Sequence, residues 1–453
     1  MIHLPNLRKR WWAIGPAVVL VLIGVVLVAC AAARAAPPVD GAKAAQRAET
    51  DAGAPGIAAA GDYVVLAWND LGMHCYNRSF QYLAILPPYN TLWAQVVRIG
   101  DPPEIVTTGI TLTYEFPDNT YSVGKSNFWD YEQALFGVNL PSNVGLVGKG
   151  LSGTLDLSGD HFVAEGIPLT EFRDSDYAAN PSNPLPYPYQ LATITVRDVP
   201  TGTQLAQVTV VAPVSTEMHC DNCHHDGGVE GIATGSVELN ILTLHDQENA
   251  DEYPSQYSSP LVDQAPVLCA NCHSTNALGM PGVAGLPSLS SAMHGKHAEE
   301  GVGSTQADCY QCHPGPQTQC LRGTMSQNFG LTCSNCHTGL SALASSSRQP
   351  WIDEPKCGQA GCHQGIAFDY PESLYRHATG HGAVYCEACH DSPHAIAPSR
   401  EANDAIKFVE WQGHNGPLSE CTACHATMPD GPGPHEFGPL SPRSYLPITL
   451  RDQ

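Results

Sequence analysis

The chain has 453 residues, with 21 Lys plus Arg against 44 Asp plus Glu and a formal charge of −23. So acidic a chain repels nucleic acid and anionic lipid alike, which excludes a nucleic-acid partner, while its length allows two to four domains with real cores. Seventeen Cys and twenty His are the unusual counts, because most of them stand in a fixed relation to one another.

Residues 1–36 read as an export segment. Arg8, Lys9 and Arg10 precede an almost unbroken apolar run from Trp11 to Ala33, the charged and hydrophobic regions of an export signal. Leu27-Val28-Ala29-Cys30 resembles a bacterial lipobox, with Cys30 as the lipidation candidate. The alternatives are cleavage at the small residues around Ala33–Ala36 or retention as a membrane anchor, for which the run is long enough. No second apolar run of that length follows, so the remainder is expected to be soluble. Residues 37–60, rich in Ala, Pro, Gly and Asp, read as a flexible linker.

Residues 61–214 carry β signals at Asp62–Trp68, Thr91–Ile99, Ile110–Phe116 and Gly150–Leu157. Leu191–Arg197 and Gln204–Ala212 then flank a Pro-Thr-Gly turn as a hairpin. An all-β sandwich or barrel-like domain is expected there. Its aromatic residues, Trp93, Trp129, Tyr187 and Tyr189 among them, are assigned to core packing ahead of a partner surface. From 215 to 453 the composition changes abruptly: Cys and His crowd, Pro and Gly are frequent, and only short helices fit, as at Ser288–Glu299 and Glu372–Thr379. The fold class is therefore multidomain, the second domain being mostly irregular with short α-helices. A segment so poor in aliphatic runs must take its core from something other than protein.

Six segments have the form Cys-x-x-Cys-His: Cys220/Cys223/His224, Cys269/Cys272/His273, Cys309/Cys312/His313, Cys333/Cys336/His337, Cys386/Cys389/His390 and Cys421/Cys424/His425. A seventh, Cys357/Cys362/His363, has a longer spacer. In c-type haem attachment two thiols add across the porphyrin vinyl groups and the adjacent His reaches the iron, which is what this spacing provides. About 0.03 such matches are expected by chance at these frequencies. Zinc ribbons pair Cys-x-x-Cys but give no reason for a His after every second Cys, and a disulfide framework gives less. The expected cofactor is haem c, seven copies, or six if the stretched motif is empty.

These motifs, with Met293-His294-Gly295-Lys296-His297, Cys312-His313-Pro314-Gly315-Pro316 and Cys389-His390-Asp391-Ser392-Pro393-His394, resemble multihaem c-type cytochromes exported by metal-reducing and related bacteria. The resemblance covers the C-terminal half. It implies iron-based electron transfer in the periplasm, at the outer membrane or on the cell surface. The partners would be redox proteins or an extracellular acceptor, with membrane attachment through the N-terminal lipid or anchor and assembly into homo-oligomers or filaments left open. Around Asn69-Asp70-Leu71-Gly72-Met73-His74-Cys75 a weaker likeness carries no function.

A haem with two protein ligands passes electrons, whereas one with an open face can transform a small substrate. The distal candidates are His219, His225, His245, His294, His297, His377, His381, His394, His414 and His435, more than seven sites need. His294/His297 and His377/His381 stand at helical spacing, and one of each pair is expected to ligate, with His294 and His381 preferred. Met73, Met218 and Met293 are minor alternatives. The motif starts are separated by 24 to 49 residues, so the macrocycles must stack or abut in a row. Each oxidised bis-His haem adds about −1, which argues for low potentials. The first reading is a bis-His electron-transfer row. The alternative is a multihaem oxidoreductase with one open haem acting on a small nitrogen or sulfur compound, and the absence of any Cys-x-x-Cys-Lys lowers it. Catalytic residues are assigned to none. Cys75 and Cys320 remain, and an oxidising compartment invites a bridge between them.

Overall fold

A computed structural model of the chain describes residues 61–257, 259–359, 362, 363, 374–431 and 433–435. The export segment with Cys30 and the linker 37–60 lie outside the described residues. Among the described residues no helix is long and apolar enough to cross a membrane.

The N-terminal region is built of strands: β1 Tyr63–Trp68, β2 His74–Cys75, β3 Leu83–Ala84, β4 Asn90–Arg98, β5 Glu104–Ile105, β6 Ile110–Glu115, β7 Ser152–Thr154, β8 Asp156–Ser158, β9 His161–Ile167, β10 Tyr189–Asp198 and β11 Gln204–Ser215. One sheet runs β1-β4-β9-β8 with β5 on the end of β4, the other β2-β11-β10-β6-β7. The pairings are antiparallel except for β2 beside β11. In β10 Ala192, Ile194 and Val196 alternate inward, and Leu66, Leu92, Val96 and Phe162 come from the facing sheet into the same core. Alternation of period two buries one set and leaves the other for water. The hairpin turns at Thr201-Gly202, where Gly202 has φ +71° and Asp198 Oδ2 accepts from the Thr201 N–H at 3.0 Å.

Three local readings differ. Gly150–Leu157 is two three-residue strands, β7 and β8, and they belong to different sheets. Strand β9 carries Glu165 and Gly166, which break the apolar run that would announce it. Of Glu372–Thr379, residues 374–379 are described, and within them Tyr375–His377 is a single 3₁₀ turn where a helix is expected.

After residue 215 short helices and turns predominate; among the described residues the only strand there is β12 Val267–Leu268, which pairs with β3. The helix Leu289–Glu299 opens at Ser288, whose side chain accepts from the Ser291 N–H, the usual use of Ser at an N-cap. The residues on both sides of position 215 fall in one compact unit. Helix Ala402–Gln412 packs on β10 and β11 and buries Phe408 and Trp411. Two fully buried cations fix the junction. Arg322 makes a bidentate pair with Asp404 at 2.7 and 2.8 Å and also donates to the Gly72 carbonyl. Lys407 lies 3.0 Å from Asp391 and 3.1 Å from the Ala67 carbonyl. A buried pair of this kind contributes little net stability when intact but is costly to break. Gly72 has φ +76°, and a Cβ there would come within 2.8 Å of the Ser392 Cβ. Only glycine lets the backbone approach that closely.

Candidate haem sites

Five of the seven motifs form a single turn or short helix: Asp221–His224, Cys269–Asn271, Cys333–His337, Cys386–His390 and Cys421–Ala423. In each the N–H of the third or fourth following residue returns to the first cysteine's carbonyl, as from His224, His273 and His425. That turn sets both thiols and the imidazole of a motif on one side of the backbone.

Six motif histidines face a second imidazole. The ring centres are 6.3 Å apart for His224 and His297, 6.3 Å for His273 and His245, and 6.3 Å for His313 and His294. They are 6.2 Å apart for His337 and His394, 5.9 Å for His425 and His381, and 5.8 Å for His390 and His435. An iron held between two imidazoles needs about 2.0 Å to each nitrogen and about 1.1 Å more to each ring centre, or about 6.2 Å in all. The described pairs match that span. The seventh motif ends in His363, which adjoins residues 364–373, outside the described residues.

Six of these rings engage Nδ1 elsewhere. His273 donates to the Pro287 carbonyl at 2.9 Å, His294 to Ser290 at 2.7 Å, His297 to Met293 at 2.7 Å and His394 to Leu71 at 2.9 Å. His245 reaches the Tyr253 hydroxyl at 3.0 Å, which itself donates to Asp246, and His425 lies 3.3 Å from Asp101. With the proton on Nδ1, Nε2 keeps its lone pair for a metal. Burial holds His313, His337 and His390 down at about 4, so they are neutral at pH 7. His394 departs from this pattern: the charge of Cys320 beside it raises it to about 9.

The motif thiols lie in a similar environment. Burial pushes Cys220, Cys269 and Cys424 up to about 11 and Cys389 to about 12. Yet Cys269 and Cys389 keep open surface, as do His313 and His394. Among the described residues no three or more His, Cys, Asp or Glu converge as a metal cluster, whereas tetrahedral zinc requires four. The donor set fits paired axial imidazoles with nearby thiols, the requirement of haem c.

The motifs are neighbours in an unbroken series. Helix Val237–Asn249, which carries His245 for the second motif, packs on the first, with Asn240 Nδ2 donating to the His224 carbonyl at 2.9 Å. His297 and His294, on one helix, face the histidines of the first and third. Cys312 lies beside Cys223, Cys309 beside Cys333, Cys336 beside Cys362, His390 beside His363, and Cys389 beside Cys424. The spatial order is second, first, third, and then as in the chain.

Of the ten distal candidates, His245, His294, His297, His381, His394 and His435 are the ones that face a motif imidazole. Both members of His294/His297 do so, where one was expected. His219 turns Nε2 to the Gly315 carbonyl at 3.0 Å and to Glu217. His377 accepts from Arg376 at Nε2. His225 and His414 are exposed and bond their Nδ1 atoms to the Asp221 and Asn415 carbonyls. Cys75 and Cys320 both stand as free thiols. They are close enough for the charge of Cys320 to help raise Cys75, chiefly raised by burial, to about 12. Cys320 instead engages His394, which draws it below its ordinary value although burial opposes this.

Sequence reasoning missed the backbone and side-chain groups that orient the imidazoles, Leu71, Asp101 and Tyr253 among them. It also missed a cavity of about 350 Å³ on the β9 side of the first sheet, lined by Asp70, Trp93, His161, Glu165, His377 and Tyr385 among others. The chain matches no protein-family model, no curated protein and no solved structure.

Proposed function

We propose that this protein is an exported multihaem c-type cytochrome that relays electrons along a row of bis-His haems between redox partners. The observation that carries the reading is the set of six facing imidazole pairs, each with one member from a Cys-x-x-Cys-His motif, at 5.8 to 6.3 Å between ring centres. The haem would supply a one-electron iron couple. The chain's residues do the rest: the motif cysteines hold the porphyrin edge, Nδ1 acceptors lock the imidazoles, and the contiguous motifs keep neighbouring sites close enough for transfer. Filling both axial positions of a haem denies it a substrate, which favours a carrier over an enzyme.

Fourteen motif cysteines would anchor seven haems. Export, with Cys30 lipidated or the N-terminal segment retained, would place the row where periplasmic or outer-surface acceptors can reach it. The β-sheets serve as its scaffold. The test is the pyridine haemochrome, mass and EPR spectrum of the holoprotein. Seven covalent haems, all low-spin and indifferent to cyanide, nitrite or hydroxylamine, are expected. A high-spin signal converted by one of these ligands would transfer the assignment to a small-molecule oxidoreductase, and a mass without haem would end the reading.

A further inference from the structure

The sixth motif holds a buried acid between its two cysteines. Cys386, Cys389 and His390 stand at i, i+3 and i+4 on the short helix Cys386–His390 and share one face, so Glu387 points off that face. The helix packs on β1 and on the Tyr375–His377 turn, and Glu387 is fully buried there. Asp221, at the same place in the first motif, is exposed. Among the described residues neither carboxylate oxygen of Glu387 has a hydrogen-bond partner, and nor has the Trp68 indole N–H beside it. An unpaired carboxylate is costly to bury, so such a group is neutral unless nearby positive charge holds it ionised. The titratable groups facing it are few. Asp70 and Asp391 bring negative charge, and Lys407, on the helix Ala402–Gln412, brings positive charge already placed 3.0 Å from Asp391 Oδ1. Burial first, and then the two carboxylates, push Glu387 well above the usual carboxylate range, against the pull of Lys407. Tyr375 and Tyr385, phenols raised chiefly by burial, also feel its charge. Glu387 adjoins Cys386, so its Cα stands about 3.8 Å from that of a haem-attachment residue.

We propose that Glu387 is the proton acceptor that ties electron uptake at the sixth haem to proton uptake. The proposal rests on the haem reading of that motif. An oxidised site carries one more positive charge than a reduced one, and that charge, with Lys407, favours the ionised carboxylate. When the site gains one electron from its neighbour in the row, Glu387 takes one proton from water and an O–H bond forms. When the electron leaves, that bond breaks and the proton returns to water. The net charge of the buried junction is then the same in both states, which spares it the cost of an uncompensated charge. The sign follows by linkage: the reduced protein binds the extra proton, so the potential of this site falls as pH rises through the range in which Glu387 titrates.

The test uses the full holoprotein in an electrochemical infrared cell. The expected result is a band from the C=O stretch of a protonated carboxyl group that appears on reduction, shifts in deuterated water and is lost in Glu387→Gln. In potentiometric titrations, one component should fall with rising pH by up to about 59 mV per unit, the one-electron equivalent of a tenfold change in proton concentration. In Glu387→Gln, which stays neutral, that component should be flat and should lie above the wild type at high pH. Glu387→Asp keeps a carboxyl group one methylene shorter and should move the band without removing it, which separates proton uptake from a loss of packing. A difference spectrum without such a band, or with one that Glu387→Gln leaves intact, would overturn the proposal and leave the cytochrome reading standing. A protein that carries no haem would overturn both.

Discussion

The regions before and after residue 215 solve the problem of a core in opposite ways. Before it, the buried apolar side chains are large and continuous: Trp68, Phe80, Leu92, Tyr114, Phe116, Phe128, Ile194 and many more. After it, thirteen apolar residues among those described are buried, and six of them are alanines, Ala270, Ala388, Ala395, Ala397, Ala405 and Ala423. Small side chains cannot fill space between elements, but they let a large flat group lie against the backbone. The same physics of apolar burial is met once by side chains and, on our reading, once by porphyrin.

The sharpest way to break the comparison is to withhold haem. The full chain produced without haem attachment should retain protease resistance in residues 61–214 and lose it almost completely beyond 215, as read by limited proteolysis and mass mapping. Equal resistance of both regions would mean that protein alone supplies the second core. Next in size is the junction. Arg322→Met leaves Asp404 buried and unpaired and should cost about 3–5 kcal/mol, visible in denaturant unfolding, whereas the double replacement Arg322→Met with Asp404→Leu should recover much of that loss.

Acid should act on the second region through its imidazoles. His313, His337 and His390 are held at about 4 in the fold, against about 6.5 in the unfolded chain. The unfolded state therefore takes up protons first as pH falls from about 6.5. The stability these groups contribute is full above that value and is lost progressively as pH falls toward about 4. Holoprotein followed by circular dichroism should show this loss, and a flat profile across the window would contradict it. Replacing His394 by Ala is a smaller, local change: one haem in seven should become high-spin while the rest keep their spectra.

The subtlest expectation concerns ring orientation. The imidazole planes of His224/His297 and His273/His245 stand at 77° and 76°, whereas the other four pairs lie between 11° and 32°. Mutual rotation of axial rings sets the splitting of the iron orbitals, so the low-spin EPR spectrum should contain two classes of signal, with at least two haems in the perpendicular class. A single class would mean that the rings turn when iron is bound.

How much of this could be read from the chain follows from the range of the interactions. The Cys-x-x-Cys-His motifs were legible because they are local: three residues within five positions. The strands with clean alternation, β1, β4, β6 and the β10–β11 hairpin, were legible for the same reason. Distal assignment was not, because it depends on tertiary contacts. His394 reaches the Leu71 carbonyl across the whole chain, and His381 finds His425 only once the intervening turns are set. Spacing correctly marked His294 and His297 as sharing a helix but could not reveal that they look toward different partners. The cavity was invisible because Trp93, His161 and Tyr385 carry no motif in common.

That one helix, Leu289–Glu299, has an electrostatic consequence. On the haem reading it would hold ligands for two haems only three residues apart, a rise of about 4.5 Å, which would tie the two irons to one rigid body. For irons about 10 Å apart at an effective dielectric constant of about 20, an electron on one opposes an electron on the other by about 1.7 kcal/mol. The pair would then accept charge anticooperatively, and its reduction would spread over a wide span of potential even if the two sites were chemically identical.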